Sequence, residues 1–489
     1  MIRKRTILSE IVDRFAIATA FEKSTIHARA SCYVEAFSTC LLVRSATKIL
    51  RAIELCANEQ GTARDKLYRV HRVVLLLVVC CGSLDLPFTA LAIPNAVIAV
   101  DHGPNTPEQQ AKHYVVLVSL DGFRFDYAQK YHAENILGMM QNGATAPHGM
   151  IPAYPSVTVP NHYTIVTGLY PEHHGIVGNQ FYDPTRKEFY SSRIARTRTD
   201  GTWYGGIPIW SLAERQGMRS ACLFWPGSEA RIAGERPSYY LQSDPSFPDE
   251  KRVDQVVAWL RLPVQRRPHF IAVYFGEVDV AGHSSGPDSS VTAEAVHRAD
   301  VLVGRLLGAA RKLNLPVDVI LVSDHGMIAG QGGWTNLDSF ADLSGFVTVG
   351  AQLYAPSENA AERAFNQLKG KSDKFEVFRR KDAPSTLHYD SNARSGDPIV
   401  VATGPYYIRA DASDSEQEQT TGIHGFDPHH MPQMLAVFCA QGPDIRAKTT
   451  VNSFEAVDIY PLIAAILRLR IGRIDGGLST VGRLIRPHS

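Results

Sequence analysis

The sequence predicts an α/β protein, with a mostly parallel central sheet sandwiched by helices and a smaller inserted subdomain. Three observations carry that expectation. From residue 113 onward, short apolar runs alternate with segments of helical spacing. The runs are nearly continuous in apolar residues, as strands covered on both faces require. Late in the chain, residues 345 to 430 turn polar and weakly periodic, which marks an insertion beside the sheet.

The strands follow in order. HYVVLVSLDG (113–122), RSACLFWPG (219–227), HFIAVYFGEVD (269–279), DVILVSDHG (318–326) and MLAVFCA (434–440) read as buried parallel strands. DEKRVDQVVAWLRL (249–262), SSVTAEAVHRADVLVGRLLGAARKL (289–313) and FEAVDIYPLIAAILRL (454–469) have the 3.6-residue period of helices. The stretch PNHYTIVTG after Thr158 begins another helix. KDAPSTLHYDSNARSGD (381–397) typifies the insertion, and no internal repeat is evident. The expected organisation is a leader over 1–92, a linker over 93–112 and a catalytic domain over 113–480, with the insertion at about 345–430.

Residues 66–92, KLYRVHRVVLLLVVCCGSLDLPFTALA, have the parts of a secretory signal. A basic stretch precedes the apolar run Val73–Cys81, and Ala90-Leu91-Ala92 offers a small-x-small cleavage site. Asp85 leaves the run too short to span a bilayer. The 65 residues ahead of it are an unusual leader or reflect a start assigned too far upstream. A secreted or periplasmic protein is expected.

Composition removes several function classes. Of the 50 basic and 49 acidic residues, the leader holds 13 and 8, so residues 93–489 keep 37 and 41. That net charge of −4 gives no electrostatic footprint for duplex nucleic acid. With 45% hydrophobic and 20% charged residues and no apolar run of about 20, no stable membrane span is expected. Five of the seven cysteines lie in the leader. Cys222 and Cys439 remain, either as one disulfide or as two buried thiols.

The chemistry gathers at the strand ends. The first strand ends in Asp121, the fourth in Asp324-His325, and the third runs out into Asp279 and His283. In open α/β sheets, sites lie beyond the carboxyl ends of the strands. GIHGFDP (422–428) adds His424, placed between two glycines. Carboxylates with imidazoles suit zinc. Asp279, His283 and His424 would form one three-ligand site, and Asp121, Asp324 and His325 another. Thr158 would fill an open position, because a threonine hydroxyl is a poor nucleophile unless a metal lowers its pKa. Any one of these residues alone is a common cap or turn residue. Their coincidence carries the argument.

VSLDGFRFDY, PSVTVPNHYTIVTGLYPEHHGIVGN, FWPGSEA, the Asp279-x3-His283 spacing, VSDHGM and GIHGF together resemble the nucleotide pyrophosphatase/phosphodiesterase family of the alkaline phosphatase superfamily. The resemblance covers about residues 113 to 469 in the family's order. It implies an alkaline-phosphatase-like fold and two Zn2+, one held by Asp279, His283 and His424, the other by Asp121, Thr158, Asp324 and His325. It further implies that Thr158 attacks phosphorus to give a covalent nucleotidyl-threonine that water hydrolyses to a nucleoside 5′-monophosphate. Asn179 matches the family's asparagine on a non-bridging phosphate oxygen, with the Thr158 amide as second donor. Asn161 shapes the loop, while His173, His174, His429 and His430 have no role in the pattern. The sequence departs at Val159, where the family has a base-stacking Phe. Tyr190, Tyr240 or Trp203 would have to supply that aromatic face, and the substrate remains open between nucleotide and lipid-headgroup diesters.

Other readings weigh less. SVTVP lacks the Cys or Ser nucleophile setting of a sulfatase. Phosphomonoesterase and phosphonate hydrolase chemistry would use the same metals, but Asn179 without an obvious nearby Arg favours a diester. A catalytically inactive secreted binding protein would have lost a ligand or Thr158, and all seven positions are intact.

Overall fold

The computed structural model describes residues 97–410 and 420–486. The leader, its signal-like segment and the cleavage site lie outside the described residues.

A nine-stranded sheet organises the chain. Its strands are β1 (Ile98–Ala99), β2 (Tyr114–Leu120), β3 (Ala144–Thr145), β4 (Ser220–Leu223) and β5 (Tyr239–Leu241). They continue with β6 (Phe270–Phe275), β7 (Val317–Val322), β8 (Phe438–Gln441) and β9 (Thr449–Thr450). The order across the sheet is β1-β5-β4-β6-β2-β7-β8-β3-β9. From β5 to β7 all neighbours are parallel. All seven residues of β2 are buried, the pattern of a strand covered on both faces.

The side chains of β2 divide between two cores. Val115 and Leu117 join one, whereas Tyr114, Val116, Val118 and Leu120 join the other. The first is closed by α1 (Thr158–Thr167) and by α6 (Ile459–Ile466). The second is closed by α2 (Asp249–Leu260), α3 (Glu277–Ser285) and α4 (Ser290–Lys312). This is the expected sandwich.

Three local expectations change, and the open choice for the two cysteines is decided. The strand read at 434–440 begins at Phe438 and runs antiparallel to β7. Its continuous apolar pattern fits either direction, because both faces are buried. Asp279 and His283 lie on α3 rather than on a strand extension. The linker expected over 93–112 is packed from residue 97: β1 pairs with β5, and Asn105 is buried with its Nδ2 donating to the Val264 and Arg267 carbonyls. Cys222 and Cys439 are free and buried. They sit on β4 and β8, four strand spacings apart, or about 19 Å, far beyond disulfide reach.

The insertion is built of small pieces rather than a single sheet. Val347–Val349 pairs with Gln352–Tyr354, and Phe375–Phe378 with Ile399–Ala402. The amphipathic α5 (Glu358–Leu368) packs Leu368 against Leu353, Phe375 and Val377. Leu337 and Ala341 share that core, so the insertion starts before residue 345. The described residues form one compact unit. Among the described residues, no helix is long and apolar enough to cross a membrane.

Candidate metal centre and active site

The carboxyl ends of parallel β2 and β7 face the same way, which brings Asp121 beside Asp324 and His325. Gly122 makes the next approach possible. At φ +67° it sits where an added Cβ would fall 2.9 Å from the Asp279 Cα. That contact brings α3 against the sheet end, and the i, i+4 spacing of Asp279 and His283 puts both on one face of α3. His424 directly follows the two-residue strand Gly422–Ile423, which pairs with Ile328–Ala329.

The sequence-derived ligands converge in two overlapping groups. His283 Nε2 lies 3.4 Å from Asp279 Oδ1 and 3.1 Å from His424 Nε2, and His424 Nε2 lies 3.7 Å from Asp279 Oδ1. His325 Nε2 lies 3.0 Å from Asp324 Oδ2 and 3.5 Å from Asp121 Oδ1. The His325 ring stacks on His424 at 3.7 Å and links the groups. Thr158 Oγ1 is 3.5 Å from His325 Nε2.

These residues fit metal ions. Asp121 Oδ1, Asp279 Oδ1 and Asp324 Oδ2 are each buried without a hydrogen-bond donor. Such orphaned atoms are costly unless something else satisfies them. Each imidazole donates Nδ1–H to a carbonyl: His283 to Gly422 at 2.8 Å, His325 to Gly326 at 2.9 Å and His424 to Ser156 at 2.9 Å. A carbonyl only accepts, so Nδ1 carries a proton in each ring and each Nε2 faces the cluster, where a metal would take the place of any second proton. Burial pushes the Asp121 pKa well above the ordinary carboxylate range, helped by Asp324 and Asp279, and burial also raises Asp279. Burial acts against the charge of Asp324 as well, but His325 and His162 together hold its pKa below the usual value. A divalent cation would relieve this crowding of carboxylates.

Thr158 opens α1, whose first turn is shaped by Asn161. The Asn161 Oδ1 accepts from the Ala153 amide at 2.7 Å, and its Nδ2 reaches the Pro155 and Val157 carbonyls at 3.0 Å. Asn179 Oδ1 accepts the Val159 N–H at 2.8 Å, which fixes the carboxamide beside Thr158 and leaves its NH2 free to donate. His174 is buried against Thr164 Oγ1, and His173 pairs with Asp475. His430 pairs with Asp427. These contacts account for the three histidines without chemistry.

The base-stacking candidates are not at a surface. Tyr190 is buried, stacks on Phe181 and bonds the Tyr204 hydroxyl, while Trp203 packs in the same cluster. Tyr240 is buried on β5, three strands from β2. Their packing contradicts the expected stacking role, because an aromatic in a closed core offers no free face. Val159 is also buried, in the core under α1.

Sequence reasoning missed the groups that hold the ligands. Tyr274 donates its hydroxyl to Asp121 Oδ2 at 2.6 Å. His162 bonds the Thr158 carbonyl at 2.8 Å and Ser119 Oγ at 2.8 Å, and its Nδ1 lies 3.4 Å from Asp324. Its i, i+4 distance from Thr158 on a helix was the available signal. Tyr274 gave none, since an aromatic in an apolar strand reads as core.

The family model for type I phosphodiesterase/nucleotide pyrophosphatase matches residues 115–427. The chain belongs to this family. Within the nucleotide pyrophosphatase/phosphodiesterases, it is 34% identical over 388 residues to a venom phosphodiesterase of Macrovipera lebetinus, covering 76% of this chain and 45% of the relative. It is 33% identical over 406 residues to an uncharacterized pyrophosphatase/phosphodiesterase of Schizosaccharomyces pombe, covering 78% and 81%. The chain thus spans less than half of the venom relative it matches. Murine ectonucleotide pyrophosphatase/phosphodiesterase 5 superposes with a TM-score of 0.71 at 29% identity, over 76% of this chain and all of that one. An inactive threonine-to-alanine variant of the murine protein in complex with AMP superposes at 0.72 and 28% identity, over 77% and 100%.

Proposed function

We propose that the chain is an exported two-zinc phosphodiesterase, which cleaves phosphodiester or pyrophosphate bonds of nucleotides and releases nucleoside 5′-monophosphates. The observation that carries this reading is Thr158 Oγ1 at the start of α1, 3.5 Å from the Nε2 of His325, whose ring groups with the orphaned Asp121, Asp279 and Asp324 oxygens. Asp279, His283 and His424 would hold one zinc, and Asp121, Asp324, His325 and Thr158 the other. The metals supply Lewis-acid stabilisation of phosphoryl oxygens and favour the deprotonated hydroxyl.

The chain's own groups do the rest. Thr158 Oγ forms the bond to phosphorus as the P–O bond to the leaving group breaks in line, and the proton lost from the hydroxyl ends on the departing oxygen. The Asn179 NH2 and the Thr158 N–H donate to a non-bridging oxygen, where charge grows in the transition state. Water then attacks the same phosphorus, Thr158 Oγ leaves, and a proton from that water restores the hydroxyl. The murine neighbour, inactive with alanine for one threonine yet found with AMP, accords with this assignment.

Export is read from the signal-like composition of residues 66–92, which makes residues 93–489 the working enzyme. With Tyr190, Tyr240 and Trp203 committed to the core, base recognition depends on other groups, and a lipid-headgroup diester is the alternative substrate. Replacement Thr158→Ala tests the mechanism. The expected result is loss of turnover with zinc content retained; full activity in that variant overturns the assignment.

A further inference from the structure

The amino ends of β2 and β7 form the pole of the sheet opposite the candidate active site, about 25 Å away along the strands. A second ligand-type cluster lies there. His113 precedes β2, Asp318 is the second residue of β7, and Asp444 lies in the turn after β8. One imidazole nitrogen and two carboxylate oxygens of this set all lie within 4.8 Å of one another.

Asp318 is fully buried. Its Oδ1 accepts the Asp444 N–H at 2.9 Å, but its Oδ2 is buried with no hydrogen-bond donor. The turn closes tightly over it, since a Cβ on Gly442 would fall 2.2 Å from Asp318 Oδ1. His113 Nδ1 lies 2.7 Å from Asp444 Oδ2. Among the described residues, two nearby cations also make other contacts. Arg486, which acts on Asp318 through its charge, gives Nε to the Ile445 carbonyl. Lys112 Nζ contacts the Arg468 carbonyl at 3.3 Å and Glu108 at 3.6 Å.

We infer that His113, Asp318 and Asp444 hold a further zinc ion at this pole, separate from the candidate active site. One imidazole and two carboxylates are zinc donors. A cleft of about 350 Å³, lined in part by His113 and Asp444, provides a water as fourth ligand. The His113 side chain is 39% exposed, so its Nε2 carries the proton toward solvent while Nδ1 binds the metal. Tetrahedral zinc spaces its ligand atoms about 3.3 Å apart, so the His113–Asp444 pair opens by a few tenths of an ångström on binding. The ion ties together the segment entering β2, the start of β7 and the turn leaving β8. A site formed only in the folded chain stabilises it by mass action. The competing arrangement is a single proton shared by the two carboxylates, since burial and the facing Asp444 raise the Asp318 pKa to about 8.

The test counts zinc by mass spectrometry after equilibration with buffered zinc, in the purified protein and in His113→Ala and Asp318→Asn variants. Crystals of the unaltered protein are measured for anomalous scattering at the zinc edge. The expected result is one zinc fewer per chain in each variant, unchanged turnover and an anomalous peak between Asp318 and Asp444. His113 is partly exposed, so its variant keeps the test open if Asp318→Asn does not fold. Equal zinc content in all three proteins with no peak at this pole overturns the inference and leaves the shared proton. The comparison reads a difference of one ion, so it stands whether or not the active-site reading does.

Discussion

His283 and His424 hold their Nε2 atoms 3.1 Å apart while each commits its Nδ1–H to a backbone carbonyl. Burial keeps His424 neutral, with a pKa well below the ordinary histidine value. Two imidazole nitrogens therefore face one another and the orphaned Asp279 Oδ1, an arrangement that a cation satisfies. The carbonyls that fix these tautomers belong to Gly422 and Ser156, so backbone far apart in sequence sets the direction of the ligands.

The hydroxyl of Tyr274 supports the neighbouring group in the same way, through its 2.6 Å bond to Asp121 Oδ2. Removing it with Tyr274→Phe frees one carboxylate oxygen without opening a cavity. Zinc affinity should fall about 10- to 100-fold, as for other partners that orient a ligand. Competition with a chelator of known affinity measures it, and turnover should recover at saturating zinc. An unchanged affinity would show that Asp121 needs no such orientation.

Asn179 should separate transition-state stabilisation from metal binding. Its Oδ1 is held by the Val159 amide, so its NH2 is presented without reorganisation when charge develops. For Asn179→Ala, kcat should drop about 100- to 1,000-fold while KM and zinc content stay near those of the unaltered protein. A rise in KM alone would mean that the residue serves substrate binding instead.

Glu455 predicts a pH dependence of stability that is independent of the metals. Burial, reinforced by Asp458 and Asp427 against the attraction of His388, raises its pKa from 4.5 to about 7. The folded state then binds a proton that the unfolded state releases, so the contribution is complete below pH 4.5 and is lost as pH rises through 7. With the side chain 30% exposed, the loss should be about 1–3 kcal/mol. Urea unfolding at fixed zinc should show this fall in the unaltered protein and a flatter profile in Glu455→Gln. Parallel profiles would contradict the raised pKa.

The sheet was legible from its apolar runs, and the candidate site from the three runs that lead into Asp121, Asp279 and Asp324. Asp121 and Asp324 follow continuous runs, and their shared pole follows from parallel order. The direction of the strand at Phe438 was not legible, since a strand buried on both faces has the same pattern either way. Tyr190, Tyr240 and Trp203 were misjudged because sequence does not distinguish an aromatic that stacks on a ligand from one that fills a core. The zinc-type cluster at His113, Asp318 and Asp444 went unseen because its members lie on three segments with no local motif.

The most direct test of the account is turnover by the zinc-loaded protein on three substrates under one set of conditions: a p-nitrophenyl nucleoside 5′-monophosphate diester, p-nitrophenyl phosphate and a choline phosphodiester. The account predicts dominant turnover of the nucleotide diester, abolished by chelation and restored by zinc. Dominant turnover of the monoester, or turnover that survives complete removal of metal, would contradict it.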